Sequence, residues 1–190
     1  MKIRNKTKYT IYIVLALSIL SLAVFRYNII NNGIPKEYMI DEYSMNEPIN
    51  LDNILLEVTS IKFDQHRKPI DGDENQEVIL DLNIKNISNN EVDVREIVES
   101  SEMSKGIYSE DYCDVSGDVK KITKLPVNNE INITLKYVLF SNNLNKVEKD
   151  NQYKFYISKD LYKEQIKDIA KKGKLYGKCV KLGGDIIEKN

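Results

Sequence analysis

Tryptophan is absent, histidine occurs once and cysteine twice. The lone histidine, His66, sits between Gln65 and Lys68 in a polar stretch, and no G-x-S-x-G, S-x-x-K or H-E-x-x-H accompanies it. It reads as a solvated loop residue rather than the base of a nucleophile dyad. Neither cysteine belongs to a C-x-x-C pair, which excludes the spacing of thioredoxin-like or zinc sites. No acid occurs in residues 1–26, and no charge at all from Tyr9 to Phe25. No cysteine stands near the end of that uncharged run, so a lipid-modified N-terminus is excluded. Nothing in the chain implies a cofactor or an enzymatic activity.

What is present begins with that run, YTIYIVLALSILSLAVF, preceded by Lys2, Arg4, Lys6 and Lys8 and closed by Arg26. As a helix, its 17 residues would measure roughly 26 Å, a little short of a ~30 Å hydrocarbon core. Lys8 and Arg26 can cover the difference with their carbon stems, and Tyr9, Tyr12 and Tyr27 suit the interface. The run is expected to be an uncleaved membrane anchor. A cleaved export signal is the alternative, but no polar region precedes a small-x-small site. The basic start keeps the N-terminus cytoplasmic and places residues 27–190 outside the cell.

Five of the 28 lysine and arginine residues and none of the 29 acids lie in 1–26, which leaves residues 27–190 at −6. An exterior of that sign repels nucleic acid, so no nucleic-acid partner is expected. The use of Lys, Asn, Ile and Tyr without Trp points to an AT-rich, Gram-positive source. The expected organisation is a basic N-terminus and transmembrane anchor (1–26), a tether (27–43), an extracytoplasmic domain (44–184) and a tail (185–190).

Strand signals fill the domain. Residues 54–63 carry apolar side chains on both parities. Val78, Leu80, Leu82 and Ile84 alternate with Asp81, Asn83 and Lys85, and Ile131, Ile133, Leu135, Tyr137 and Leu139 repeat the pattern. Residues 64–76 and 142–150 read as loops, and Asn86 to Asn90 as a turn. Residues 91–99 predict a strand, 100–124 one or two short strands, and 174–182 the closing strand. Ser158 is positioned to cap one helix over 159–172, with Gly173 at its end and Tyr162, Ile166, Ile169 and Ala170 on its apolar face. Short strands between turn signals predict an all-β sandwich.

The phrases EPINLDNILLEVTSIKF, VILDLNIKNIS, NEINITLKYVLF and KFYISKDLYKEQI resemble those of uncharacterised Firmicute membrane-anchored or secreted proteins with an immunoglobulin-like extracytoplasmic domain. The resemblance covers roughly residues 43–182. It implies an immunoglobulin-like sandwich and an envelope location, and carries no functional residues.

Three groups are candidate sites. Cys113 and Cys179 either form a disulfide closing a long loop, worth roughly 4 kcal/mol, or remain two buried thiols. Asp71, Asp73 and Asn75 match the first three ligands of a calcium loop, but Gln76 and Leu82 stand where its Gly and Glu belong, leaving only a weak Ca²⁺ site. Lys163, Lys167 and Lys171 form a stripe for wall polymer or anionic lipid; interleaved acids offer the ordinary reading of a solvated face. Together these features predict a non-catalytic binding or adaptor module, anchored through residues 9–25. Its partner would be another envelope protein or a wall polymer. A solitary structural or stress role in the envelope, or a secreted form of the domain, is the alternative.

Overall fold

The structure, a computed structural model, describes residues 3–31, 34–35, 37–64, 74–106, 108–110, 112–141 and 152–183. The chain divides into two units, Met1–Lys36 and Glu37–Asn190.

The first unit is a single helix, α1 (Ile3–Asn31), of 29 residues. Its segment Lys8–Asn31 has a mean hydropathy of 2.1 and is long and apolar enough to cross a membrane, a test that a signal sequence also passes. Large apolar side chains such as Leu15, Leu20 and Phe25 are exposed along it. Two of its polar side chains bond back to the helix: the Ser18 hydroxyl donates to the Val14 carbonyl (2.9 Å) and the Asn31 amide to Tyr27 (2.8 Å). Such back-bonding removes the cost that a bare polar group would meet in lipid.

The second unit holds two five-stranded sheets. Sheet I joins β2 (Ile49–Leu51), β3 (Ile54–Asp64), β4 (Glu74–Asn86), β8 (Glu130–Ser141) and β7 (Cys113–Gly117), in the order β2-β3-β4-β8-β7. Sheet II joins β1 (Glu37–Ser44), β10 (Lys174–Leu182), β9 (Tyr153–Tyr156), β5 (Glu102–Lys105) and β6 (Tyr108–Glu110), in the order β1-β10-β9-β5-β6. This is a sandwich of two sheets around one core, the all-β architecture expected.

Alternation drives the assembly. Val78, Leu80, Leu82 and Ile84 of β4 and Ile131, Ile133, Leu135, Tyr137 and Leu139 of β8 are all buried, opposite Met103, Phe155, Val180 and Leu182 in the same core cluster. The mixed parity of β3 has a specific cause. Val58 pairs with Leu82 but Ser60 with Asp81, so Thr59 is an extra residue at a β-bulge. Ile54, Leu56 and Val58 therefore face inward before the bulge, and Ile61 and Phe63 after it. Asp81 braces the irregularity: its backbone carbonyl accepts from Thr59 (3.0 Å), and its carboxylate from Ser60 and Thr134 (2.7 Å).

The turn at Asn86 is also built from side chains. Buried Asn86 accepts from the Ser88 amide and hydroxyl (both 2.8 Å) and donates to Asn90 (2.7 Å) and Leu125 (2.9 Å), which uses its full hydrogen-bonding capacity.

Several expectations need correction. The tether shrinks, because α1 continues to Asn31 and Glu37–Ser44 is β1, hydrogen-bonded parallel to β10. Residues 91–99 form no strand beyond one bridge between Val92 and Leu125. The Asp93 carboxylate there accepts from the Arg95 amide (3.0 Å) and turns the chain into the short helix α2 (Glu96–Glu99). Residues 100–124 contain three short strands and a 3-10 turn, Val119–Lys121. The helix near the C-terminus opens as a 3-10 turn, Lys159–Tyr162, and continues as α3 (Lys163–Ala170). Ser158 caps that turn by accepting from the Asp160 amide (3.3 Å), and Gly173 ends the helical region at φ 74°.

Removing the Asp81 carboxylate (Asp81→Ala) is expected to cost about 1–2 kcal/mol near neutral pH. The hydroxyls of Ser60 and Thr134 hold its pKa below the model-compound value of 3.8. Its contribution is therefore full above the unfolded-state pKa and is lost as pH falls through the lowered folded value. Urea unfolding of the full chain in detergent should show a clear gap between wild type and variant at neutral pH, closing in strong acid.

Candidate functional site

Parity along sheet II creates the site. Phe155 and Val180 pair inside the core, as do Tyr153 and Leu182, so the residues between them face outward. One outward row runs across four strands: Glu102 of β5 opposite Tyr156 of β9, then Cys179 of β10, then Glu42 of β1. In the adjoining positions Gly177 stands beside Ile40, and Leu175 beside Tyr38.

Gly177 is the structural hinge of this face. Its φ is unremarkable; what it supplies is space, since a Cβ there would lie 2.8 Å from the Tyr38 hydroxyl. The Tyr38 ring thus leans over bare backbone. Around it opens a cavity of about 340 Å³, walled by Tyr38 and Tyr156, floored at Gly177 and bordered by Glu102, Ser158 and Lys159. The Lys159 ammonium lies 5.4 Å from the centre of the Tyr38 ring. Burial pushes the Tyr156 phenol above its usual pKa, and a hydrogen bond with Ser104 partly offsets this. Tyr38, Ile40 and Leu175 continue the surface as an apolar strip, exposed by 52%, 37% and 47%.

A second cluster lies beneath, on the inner face of β10. Lys178 is 3% exposed, donates to the Asn50 carbonyl (2.7 Å), and lies 5.5, 5.5 and 5.9 Å from the rings of Tyr43, Tyr162 and Tyr176. Burial lowers its pKa, against which the charges of Asp41 and Asp52 act to raise it. The Tyr176 hydroxyl donates to Asp41, while that of Tyr162 donates to Ile157 (3.3 Å) and accepts from the Lys178 amide (3.1 Å). Burial pushes the Tyr162 phenol up to about 12. By reaching from β10 to β2, Lys178 ties the two sheets together at one end of the sandwich; it is a structural ammonium held by rings and one carbonyl.

The residues singled out from the sequence lie elsewhere. Cys113 and Cys179 are buried and unpaired. Cys113 sits beside Tyr137 on the inner face of sheet I, with its thiol directed to the Val98 carbonyl (3.5 Å), whereas Cys179 belongs to the outer face of sheet II. A layer of core and the backbone of sheet II separate the two orientations, so the disulfide is not formed. Burial pushes both thiols up, which keeps them unreactive. Lys163, Lys167 and Lys171 do share one face, but each meets an acid three residues before it: Asp160 (2.8 Å), Glu164 (2.6 Å) and Asp168 (2.8 Å). The stripe alternates in sign and gives no strong positive field. Asp71, Asp73 and His66 lie outside the described residues, as does the side chain of Asn75. No group of three or more His, Cys, Asp or Glu able to hold a metal ion occurs among the described residues.

Sequence reasoning missed the cavity because its walls come from four separated stretches, one of them assigned to the tether. The glycine inside KLYGKCVKL was the available signal, since glycine in a strand marks a close approach.

No family profile matches this chain, and no curated protein matches it. Its structure is similar to an uncharacterised β-sandwich protein from Clostridium difficile, with 12% sequence identity and a TM-score of 0.48, covering 78% of this chain and 99% of that one.

Replacing Tyr162 by Phe strips an acceptor from the buried Lys178 amide and is expected to lower stability by about 1–3 kcal/mol in urea unfolding. In unreduced protein, iodoacetamide should modify neither cysteine in the native state and both once the chain is denatured, as read by mass spectrometry.

Proposed function

We propose that this chain is a non-catalytic binding or adaptor module, held at a membrane by α1 and displayed outside the cytoplasm of a Gram-positive cell. The observation that carries the reading is the outer face of sheet II, where Tyr38, Ile40 and Leu175 are exposed beside a cavity. Apolar side chains exposed together on a sheet face are what an interaction surface offers. The partner on this reading is another envelope protein, with a wall polymer as the alternative.

The location rests on Lys2, Arg4, Lys6 and Lys8 ahead of the apolar run of α1 and on the absence of acids there. The acidic balance of residues 27–190 argues against nucleic acid as a partner. The finer assignment to an immunoglobulin-like sandwich is supported by the two-sheet architecture and by the chain's repeated crossing between sheets. A secreted form, released by cleavage after α1, is favoured as a second reading by the same apolar helix, since an export signal has this composition.

The test is photo-cross-linking in cells with a reactive amino acid in place of Tyr38 or, as a control, Val127 on another part of the surface. One envelope protein captured reproducibly from position 38 and not from 127 is the expected outcome. Equal, diffuse capture from both positions would overturn the adaptor reading in favour of a solitary envelope role.

A further inference from the structure

The four edges of the sandwich are not alike. β2, β6 and β7 have three, three and five residues, whereas β1 has eight. A short edge offers few unpaired backbone groups to another strand, and lysine, proline or a bulge protects a longer one. β1 (EYMIDEYS) has neither lysine nor proline, and its register with β10 is unbroken from Glu37 to Ser44. Among the described residues no strand pairs with its other side. The Ser44 amide donates to the Glu47 carboxylate (2.9 Å) in place of a strand partner. Backbone groups alternate sides along a strand, so the N–H and C=O groups of Tyr38, Ile40 and Glu42 point the same way, to the open edge. The side chains of Tyr38 and Ile40 lie exposed on the outer face beside Leu175. Open hydrogen-bonding groups and an apolar strip therefore coincide on one edge.

The acids of β1 select the register of any self-pairing. A two-fold axis perpendicular to the sheet would set two β1 strands antiparallel, each residue opposite one that faces the same side. Like charges directly opposite are destabilising. Among the registers that overlap more than half of β1, an axis at Met39 sets Glu37 against Asp41, and an axis at Asp41 or Glu42 sets that acid against its own copy. The axis at Ile40 alone avoids such a clash. It sets Ile40 against Ile40, Tyr38 against Glu42, Met39 against Asp41 and Glu37 against Tyr43. Ser44, whose amide is already taken by Glu47, falls outside this pairing. Tyr38, Ile40 and Glu42, whose backbone groups face the open edge, are then the residues that exchange hydrogen bonds. The two apolar strips meet on the outer face around the axis. Glu42 is matched within its own copy by Lys154 (3.3 Å) and Lys181, so it brings no bare charge to the joint.

We propose that two copies of this chain join through β1, antiparallel about an axis at Ile40, so that sheet II continues from one copy into the other. The pairing uses the edge of the sheet and leaves its outer face open. It rests neither on α1 crossing a membrane nor on an envelope protein docking at that face, so failure of the adaptor reading would leave it untouched.

The test uses the full chain in detergent at about 100 µM, because one strand pair is a small interface. On mild oxidation Ile40→Cys should give a disulfide-linked dimer, since opposite residues of a hydrogen-bonded pair have Cα atoms about 5.5 Å apart, within disulfide reach. Met39→Cys and Tyr38→Cys should give none, their own copies lying two and four residues out of register. A mixture of Tyr38→Cys with Glu42→Cys should cross-link. The unaltered chain, whose two thiols are buried, supplies the background. In sedimentation, Ile40→Lys and Ile40→Glu should each weaken self-association at least about tenfold, and mixing the two should restore the dimer. Position 40 is exposed, so neither variant disturbs the core. A monomer at every concentration would overturn the proposal. So would a dimer that Ile40→Lys leaves unchanged, which would place the contact elsewhere in the chain, or cross-linking from Met39→Cys as strong as from Ile40→Cys.

Discussion

The outer face of sheet II exists because its inner face cannot move. Phe155, Val180 and Leu182 are held in the core, and the strand repeat of two then leaves Tyr156, Gly177 and Lys181 no other side to occupy. A slip of one residue between β9 and β10 would turn one of the two strands over, exposing Phe155 and burying Lys154 or exposing Val180 and burying Lys181, so the register is strongly specified. The cavity, the apolar strip and the buried Lys178 all inherit their positions from this pairing. Site geometry here is a by-product of core packing, which makes it rigid without any interaction dedicated to holding it.

Much of sheet I was legible in the sequence. β4 and β8 alternate over long runs, and their inward positions from Val78 to Ile84 and from Ile131 to Leu139 are all apolar. β3 was legible as a strand but not in its facing, because one extra residue at Thr59 exchanges the two parities midway. No local signal marks such a bulge; it is apparent only against the partner strand. The Asn86 turn was visible as Asn-x-Ser because the side chain itself builds the turn.

Other parts were hidden for reasons of distance. β1 is an edge strand with polar residues at half its positions, and its partner lies more than a hundred residues away. Without β10 in view, it resembles a linker. The lysine-rich C-terminal region misled in the opposite direction, because counting charges ignores pairing. Lys163, Lys167, Lys171, Lys174 and Lys181 each have an acidic partner, and Lys178 is enclosed.

The parallel pairing of β1 with β10 has a mechanical consequence. The helix end of the chain enters β1 at the end where β10 begins, and β10 leaves at the opposite end. Tension applied between the two chain ends therefore pulls these strands along their length in opposite directions. Such a load falls on the hydrogen bonds of all eight registered pairs at once, in shear, instead of opening them one after another as in a zipper. A domain tethered by its N-terminal side and loaded from its C-terminal side would resist extension through the joint between its first and last strands.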